Sequence, residues 1–221
     1  MPNSILILCP SRDRNLALGR MIVTLLKTST HADLAVYVDD DQVEMYAPCV
    51  KHERVRYVHG PRVGPVAAMN VMVETNPGYE VYGAVTDDSE FRTDGWDLWL
   101  LKAAASFPGG IGVMSPKLRG SKRMDYPYAT RRWVEVLGFF AWPGCHHFYW
   151  DVLVELLGEG IGAIKYATEE EFLMLHDDAP TENISLKTVT DARNLLPIIA
   201  IERPLLIRKL REAVARAEVL A

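Results

Sequence analysis

Residues 81–91 read Val81-Tyr82-Gly83-Ala84-Val85-Thr86-Asp87-Asp88-Ser89-Glu90-Phe91, a short apolar run that ends in two adjacent carboxylates. A run of this length with no polar alternation predicts a strand buried on both faces, as in a parallel sheet. Adjacent carboxylates at its end repel unless a cation or an arginine lies between them. An isolated Asp-Asp is more often a solvated turn, so its meaning depends on the chain around it.

Three earlier runs have the same form. Ser4-Ile5-Leu6-Ile7-Leu8-Cys9 stops at Pro10-Ser11-Arg12; Leu34-Ala35-Val36-Tyr37-Val38 ends in Asp39-Asp40-Asp41; residues 55–58 precede Gly60-Pro61-Arg62-Val63-Gly64-Pro65. Between them, Leu16, Met21, Ile22, Leu25 and Leu26 recur at helical spacing, and residues 66–74 follow a proline suited to a helix start. Strands alternating with helices predict a mainly parallel α/β sheet, Rossmann-like, with ligands at its carboxyl edge. Both acidic clusters fall on that edge.

Beyond residue 95 the pattern predicts a helix over 96–106, a strand near 111–114, and a loop over 115–127 carrying Lys117, Arg119, Lys122 and Arg123. Residues 133–140 are expected to return to the sheet, 150–157 to form a helix, and 164–166 and 172–175 to form short strands. From Pro204 onward, Leu206, Ile207, Leu210, Ala213, Val214 and Ala217 predict a C-terminal amphipathic helix, packed on the domain or on a second copy in a homo-oligomer.

Bulk properties set outer bounds. The chain has 221 residues, 49% hydrophobic, and a net charge of −5. That size suits one α/β domain, and that charge argues against gripping nucleic acid through a general basic footprint. Cys9, Cys49 and Cys145 form no Cys-x-x-Cys pair, so no disulfide framework or cysteine zinc site is expected. Residues 5–8 are too short for a signal-peptide core, and no stretch reaches the roughly 18 apolar residues of a membrane span. A soluble cytoplasmic protein is expected.

Several segments together resemble the GT-A glycosyltransferases of the large inverting family that includes many bacterial and phage enzymes. They are ILILCPSRDR at 5–14, VDDD at 38–41, GPVAAMN at 64–70, and VTDDSEF at 85–91 followed by Gly95-Trp96-Asp97. The resemblance spans about residues 4–178. It implies a GT-A catalytic domain over 1–180, with a nucleotide-binding half to about residue 95 and an acceptor-side half from about 96 to 180; residues 181–221 would be a helical extension. It also implies a nucleoside diphosphate sugar donor, a UDP-sugar favoured, and a Mn²⁺ or Mg²⁺ ion. The family's Asp-x-Asp would fall on Thr86-Asp87-Asp88 or Asp87-Asp88-Ser89, so either register lacks one carboxylate.

The resemblance places Asp39 on the nucleoside, with Asp40 and Asp41 as alternatives, and Pro10, Arg12 and Arg14 in the turn that meets the nucleotide or its phosphates. Gly64 at a helix N-terminus with Arg62 beside it suits a diphosphate, and Asn70 takes a site-facing family position. The cation ligands would be Asp88, Asp87 and the late His176 of Leu175-His176-Asp177-Asp178. Residues 137–151, LGFFAWPGCHHFYWD, resemble the acceptor side of phage-type members. An inverting transferase needs a carboxylate base, for which Asp151 is the candidate and Glu135 the second; Asp151 could instead cap the following helix. The acceptor could be a glycan or a hydroxymethylated pyrimidine in DNA, with the 117–123 loop as a backbone contact. Two other classes compete. A nucleotidyltransferase should have a glycine-rich loop and lysine after the first strand, where this chain has Cys9-Pro10-Ser11-Arg12; a non-catalytic nucleotide or sugar-binding module would use the acidic edge structurally.

Overall fold

The computed structural model of the chain describes residues 4–118, 123–176 and 193–220. Strand β1 (Ile5–Ser11) lies between β2 (Ala32–Asp39) and β4 (Val81–Ala84), parallel to both, and β2 pairs in parallel with β3 (Val55–Gly60). Along β1 and β2 the apolar residues alternate between two cores. Ile5, Ile7 and Cys9 face one side with Leu34, Val36 and Val38; Leu6 and Leu8 face the other with Ala35 and Tyr37. This is why these runs read as unbroken apolar stretches: both faces are covered, so neither admits a polar side chain.

Helices α1 (Asn15–Thr28), α2 (Val43–Tyr46) and α3 (Pro65–Thr75) connect these strands, and α4 (Trp96–Ala105) follows β4 and a short strand, β5 (Ser89–Phe91). The rest of the large sheet is built from β6 (Val113–Ser115), β8 (Tyr128–Thr130) and β9 (Ile164–Tyr166), giving the order β3-β2-β1-β4-β8-β6-β9. Strand β8 is antiparallel to both its neighbours, β4 and β6, while β9 is parallel to β6. A second sheet joins β5, β10 (Leu173–His176), which directly follows helix α7 (Glu169–Phe172), and β7 (Lys117–Leu118) in the order β5-β10-β7. Asp87 and Asp88 sit in the turn where the chain leaves the large sheet for the small one.

The resemblance to Gly-Trp-Asp acquires a structural explanation here. Gly95 takes a left-handed φ of 72° and its N–H donates to the Thr28 carbonyl at 2.7 Å. Trp96 donates its indole N–H to Thr28 Oγ1 at 3.0 Å and stacks on both Phe91 and Phe172, at centroid distances of 4.8 and 4.7 Å. Asp97, fully buried, accepts from the backbone N–H of Thr30 and of His31, both at 2.7 Å. These three residues lock α4 and the small sheet against the end of α1.

Two expectations change. Residues 133–140 do not form a strand; α5 (Arg131–Leu137) occupies that stretch. Thr130 accepts from the Trp133 N–H as an N-cap and Gly138 ends the helix at φ 86°, so local capping outweighs the β-branched and aromatic composition. The C-terminal helix, α8 (Leu196–Leu220), begins before Pro204, which lies inside it. It packs on α5, on α6 (Trp150–Ile161) and on the 108–110 turn, burying Ile199, Leu206, Leu210 and Ala213. Its apolar stripe is thus used within the chain, while Ile198, Ile201 and Leu205 stay exposed. Residues 181–192 of the expected extension, with Asp177, Asp178, Arg119 and Lys122, lie outside the described residues. No helix among the described residues is long and apolar enough to cross a membrane.

Asp97→Ala removes the acceptor of two buried N–H groups. It is expected to lower the unfolding free energy by about 3 kcal/mol, the upper end for a charged acceptor lost from buried donors. Urea titration of both proteins, with unchanged m-value, checks this.

Candidate nucleotide and cation site

The Asp87–Asp88 turn is held by groups from β1, the start of α1 and β10. Ser11, at the end of β1, donates to Asp87 Oδ2 at 2.7 Å and is itself 2.7 Å from the Tyr46 hydroxyl. Arg14 reaches both carboxylates through Nη1, Asp87 Oδ1 at 3.2 Å and Asp88 Oδ2 in a shorter contact. His176, at the end of β10, brings Nε2 to 3.1 Å from Asp88 Oδ1, because β5 and β10 pair Ser89 with His176. Thr86, in the first position of the Asp-x-Asp-like segment, bonds instead with Ser89 Oγ at 3.1 Å and the Tyr126 hydroxyl at 2.8 Å.

Burial and partners drive the two carboxyls apart. Burial raises Asp87, with the Asp88 charge adding to it against the Ser11 hydrogen bond and the Arg14 charge. Burial also acts on Asp88, but His176, Thr86 and Arg14 outweigh it and hold that carboxyl well below the usual range. At neutral pH Asp88 is the firmly ionised member.

Beside this turn, Pro10, Ser11, Arg12, Tyr37, Asp39, Arg62, Gly64, Pro65, Ala68, His146, His147 and Phe148 line a pocket of about 600 Å³. The volume falls within the range of small-molecule sites. Five sequence-derived candidates therefore meet in one place: Pro10, Arg12, Asp39, Arg62 and Gly64. Asp39 is buried and takes Arg12 Nη1 at 2.7 Å, while Arg12 holds the exposed Asp41 through both Nη atoms, each at 2.7 Å. Asp39 makes no side-chain cap to the turn after it, so a capping role does not account for it. Gly64 stands at the N-terminus of α3 with φ 83°, and a Cβ there would lie 2.7 Å from the His146 ring. Only glycine allows both that backbone and that approach.

Asn70 does not face this pocket among its described contacts. Its carboxamide clamps the 140–141 backbone, accepting from Phe140 N at 3.0 Å and Ala141 N at 3.1 Å and donating to Ala141 O at 2.7 Å. It positions the start of the segment that leads to His146–Phe148. That segment ends at Tyr149, a non-glycine residue at φ 69°, which precedes α6. Sequence reasoning left His146 without a role, and it did not single out Ser11, Tyr126 or Asp125. The positive φ at Tyr149 and the contact on Gly64 have no local sequence signature.

Asp151 lies in the first turn of α6, not at its cap position, which is Tyr149. Burial raises its carboxyl and the Asp125 charge adds to this, against hydrogen bonds from the helix backbone and the Arg123 charge. Asp125 carries a buried Oδ2 with no hydrogen-bond partner. Glu135 is elsewhere. Strand β8 runs antiparallel, so Thr130 pairs with Val81 at the amino end of β4, and α5 starts at the edge opposite the Asp pair. There Glu135 is exposed and paired with Arg132 at 3.2 Å and Arg131 at 3.6 Å. A larger depression at that same amino edge is lined by Arg54, Arg56, Asp33 and Tyr79. Its polar groups bond one another, with Arg56 and the Tyr79 hydroxyl on Asp33 at 3.1 and 2.5 Å.

Among the described residues no group of three or more His, Cys, Asp and Glu side chains is arranged to hold a metal ion. Two donors nevertheless suit one. Asp88 Oδ1 is buried and faces the His176 Nε2 at 3.1 Å, so a carboxylate oxygen and an imidazole nitrogen stand side by side. A carboxylate and an imidazole fit Mn²⁺, and Mg²⁺ sites commonly complete their shell with substrate phosphates and water.

Acid titration reads the pair directly. Asp88 has a folded-state pKa below the unfolded value of about 3.9, so its stabilisation is complete above that pH and is lost as pH falls through the folded value. Asp87, raised, opposes folding increasingly as pH rises from the same point. Denaturant unfolding between pH 3 and 6 is expected to show a weaker loss of stability at the acid end in Asp88→Asn than in the wild type.

No protein-family model matches this sequence, and no curated protein matches it by sequence. Solved structures match it by fold. The mannosyltransferase PcManGT from Pyrobaculum calidifontis, in complex with GDP-Man and Mn²⁺, aligns with a TM-score of 0.61 at 12% identity, over 100% of this chain and 76% of that one. TarS from S. aureus aligns with a TM-score of 0.60 at 14% identity, over 91% of this chain and 39% of that one. GalNAc-T7 with UDP, GalNAc and Mn²⁺ aligns with a TM-score of 0.65 at 10% identity, over 97% and 55%. The chain thus spans about half or less of the latter two. At these identities the likeness is one of fold. With its mostly parallel seven-stranded sheet, flanking helices and C-terminal helix, this chain has the GT-A fold.

Proposed function

We propose that the protein is a glycosyltransferase that moves a sugar from a nucleoside diphosphate sugar, a UDP-sugar favoured, to an acceptor hydroxyl with inversion at the anomeric carbon. The observation that carries this reading is the meeting of Pro10, Arg12, Asp39, Arg62 and Gly64 around one pocket beside the Asp87–Asp88 turn. Two of the structures that share the fold were obtained with GDP-Man or with UDP and GalNAc, each with Mn²⁺.

In this reading Asp39 accepts hydroxyl or ring N–H donors of the nucleoside, and Arg12 keeps its carboxylate oriented. Arg62 and the free N–H groups at the start of α3 receive the diphosphate. Asp88 and His176 would hold a Mn²⁺ or Mg²⁺ ion, which supplies positive charge against the departing diphosphate. Asp87, fixed by Ser11, holds the turn. Asp151 takes the acceptor's proton as its oxygen bonds to the anomeric carbon and the bond from that carbon to the phosphate oxygen breaks. The raised carboxyl of Asp151 strengthens it as a base. The acceptor remains a hydroxyl class: a glycan, or a hydroxymethylated pyrimidine in DNA approached by Lys117 and Arg123.

A panel of nucleotide sugars with Mn²⁺, Mg²⁺ or chelator, read by release of nucleoside diphosphate, tests this. Chelator and Asp88→Ala are each expected to abolish turnover. Asp151→Asn should lower kcat by about 10²–10⁴ with donor KM little changed, as expected for a lost general base, and Glu135→Gln should leave both unchanged. Turnover indifferent to chelator and to Asp88→Ala removes the cation assignment. Nucleotide binding without turnover on any acceptor favours a binding module, and absence of nucleotide-sugar binding overturns the reading.

A further inference from the structure

Arg14 occupies the Asp87–Asp88 pair where a bridging cation would stand. Its Nη1 lies between Asp87 Oδ1 and Asp88 Oδ2 and offsets their repulsion, while Asp88 Oδ1 is buried beside His176 Nε2 at 3.1 Å and the Asp88 side chain is only 2% exposed. A divalent ion on Asp88 would meet the Arg14 guanidinium as a like charge.

The attachment of Arg14 is also the looser of two neighbouring arginine attachments. Arg12 grips Asp41 through both Nη atoms and Asp39 through one of them. Arg14 contacts its carboxylates through Nη1 alone, and its side chain is 36% exposed. A single-nitrogen contact on a long, partly exposed side chain is more easily exchanged than a two-nitrogen fork. Its backbone is anchored separately, the N–H donating to the Tyr46 hydroxyl at 3.1 Å and the carbonyl accepting from Leu18 N at 2.9 Å. The guanidinium can leave without unwinding α1.

We propose that Arg14 is a built-in competitor for the divalent cation: it neutralises the Asp87–Asp88 pair in the metal-free protein and must release Asp88 before an ion engages Oδ1 and His176. Arg14 thereby sets the ion affinity. It weakens apparent binding by the fraction of molecules in which its contact with Asp88 is formed. The inference rests on the reading of Asp88 and His176 as the cation ligands.

Mn²⁺ titration without nucleotide, followed by the electron paramagnetic resonance signal of the free ion, tests it apart from activity. Arg14→Gln is expected to bind Mn²⁺ at least tenfold more tightly than the wild type, and Arg14→Lys, which keeps the charge without the planar fork, to fall between them. Thermal melts supply a second measurement. Arg14→Gln should melt lower without metal and regain more from Mn²⁺ than the wild type does; a merely structural arginine would leave a deficit that Mn²⁺ does not repair. Unchanged or weaker Mn²⁺ binding in a folded Arg14→Gln protein overturns the role of Arg14. Mn²⁺ binding that persists in Asp88→Ala overturns the cation site itself, a separate failure.

Discussion

Two carboxylates at the end of a buried strand are a standing electrostatic problem, and the middle of this molecule is organised around it. Asp87 and Asp88 leave the large sheet where the chain crosses into the small one, with too little water to screen them. Ser11 from β1, Arg14 from the start of α1 and His176 from β10 converge on the pair. The first strand, the fourth and the last strand of the small sheet are tied at one point. The charges are not equally treated: burial lifts Asp87, whereas its neighbours hold Asp88 down. Such separation turns a repulsive pair into one firm anion and one hydrogen-bonded support.

The remainder of the carboxyl edge follows from keeping this point rigid. The Gly95-Trp96-Asp97 lock fixes α4, and the stack of Phe91, Trp96 and Phe172 fixes β5 and β10 beside it. His176 reaches Asp88 only because β10 pairs with β5 in that register. On the other side, Asn70 holds the 140–141 backbone and Gly64 makes room for His146. The pocket between these two supports has walls from four separated parts of the chain. The pocket presents Asp39, Arg12 and Arg62 and adjoins the Asp pair through Ser11, which lines it and bonds Asp87.

The amino edge shows what the same residue types do without such an arrangement. Asp33, Arg56 and Tyr79 satisfy one another, and Arg54 donates to the carbonyls of Leu26, Ser29 and Ala32. Glu135 pairs with its own helix's arginines. These charges support structure at loop ends. At the carboxyl edge Asp88 and His176 meet beside a pocket lined by Asp39, Arg12 and Arg62.

The sequence by itself determined the four parallel strands β1 to β4, their order along the chain and the acidic ends of the second and fourth. Continuous apolar runs have one economical explanation when each stops at a turn: burial on both faces. It also brought forward Pro10, Arg12, Asp39, Arg62 and Gly64, which the fold gathers into one pocket. What only the tertiary structure decided depends on distance rather than pattern. The 131–137 stretch is a helix because Thr130 and Gly138 cap it, and α8 runs through Pro204 because Ile199 finds a place in the core. Asn70 turns to backbone and Arg14 to the Asp pair through contacts spanning some seventy residues of chain, and the antiparallel β8 carries Glu135 to the far edge. Local sequence carries strand and helix periods, but the partner of a buried charge is chosen by the fold that brings it within hydrogen-bonding reach.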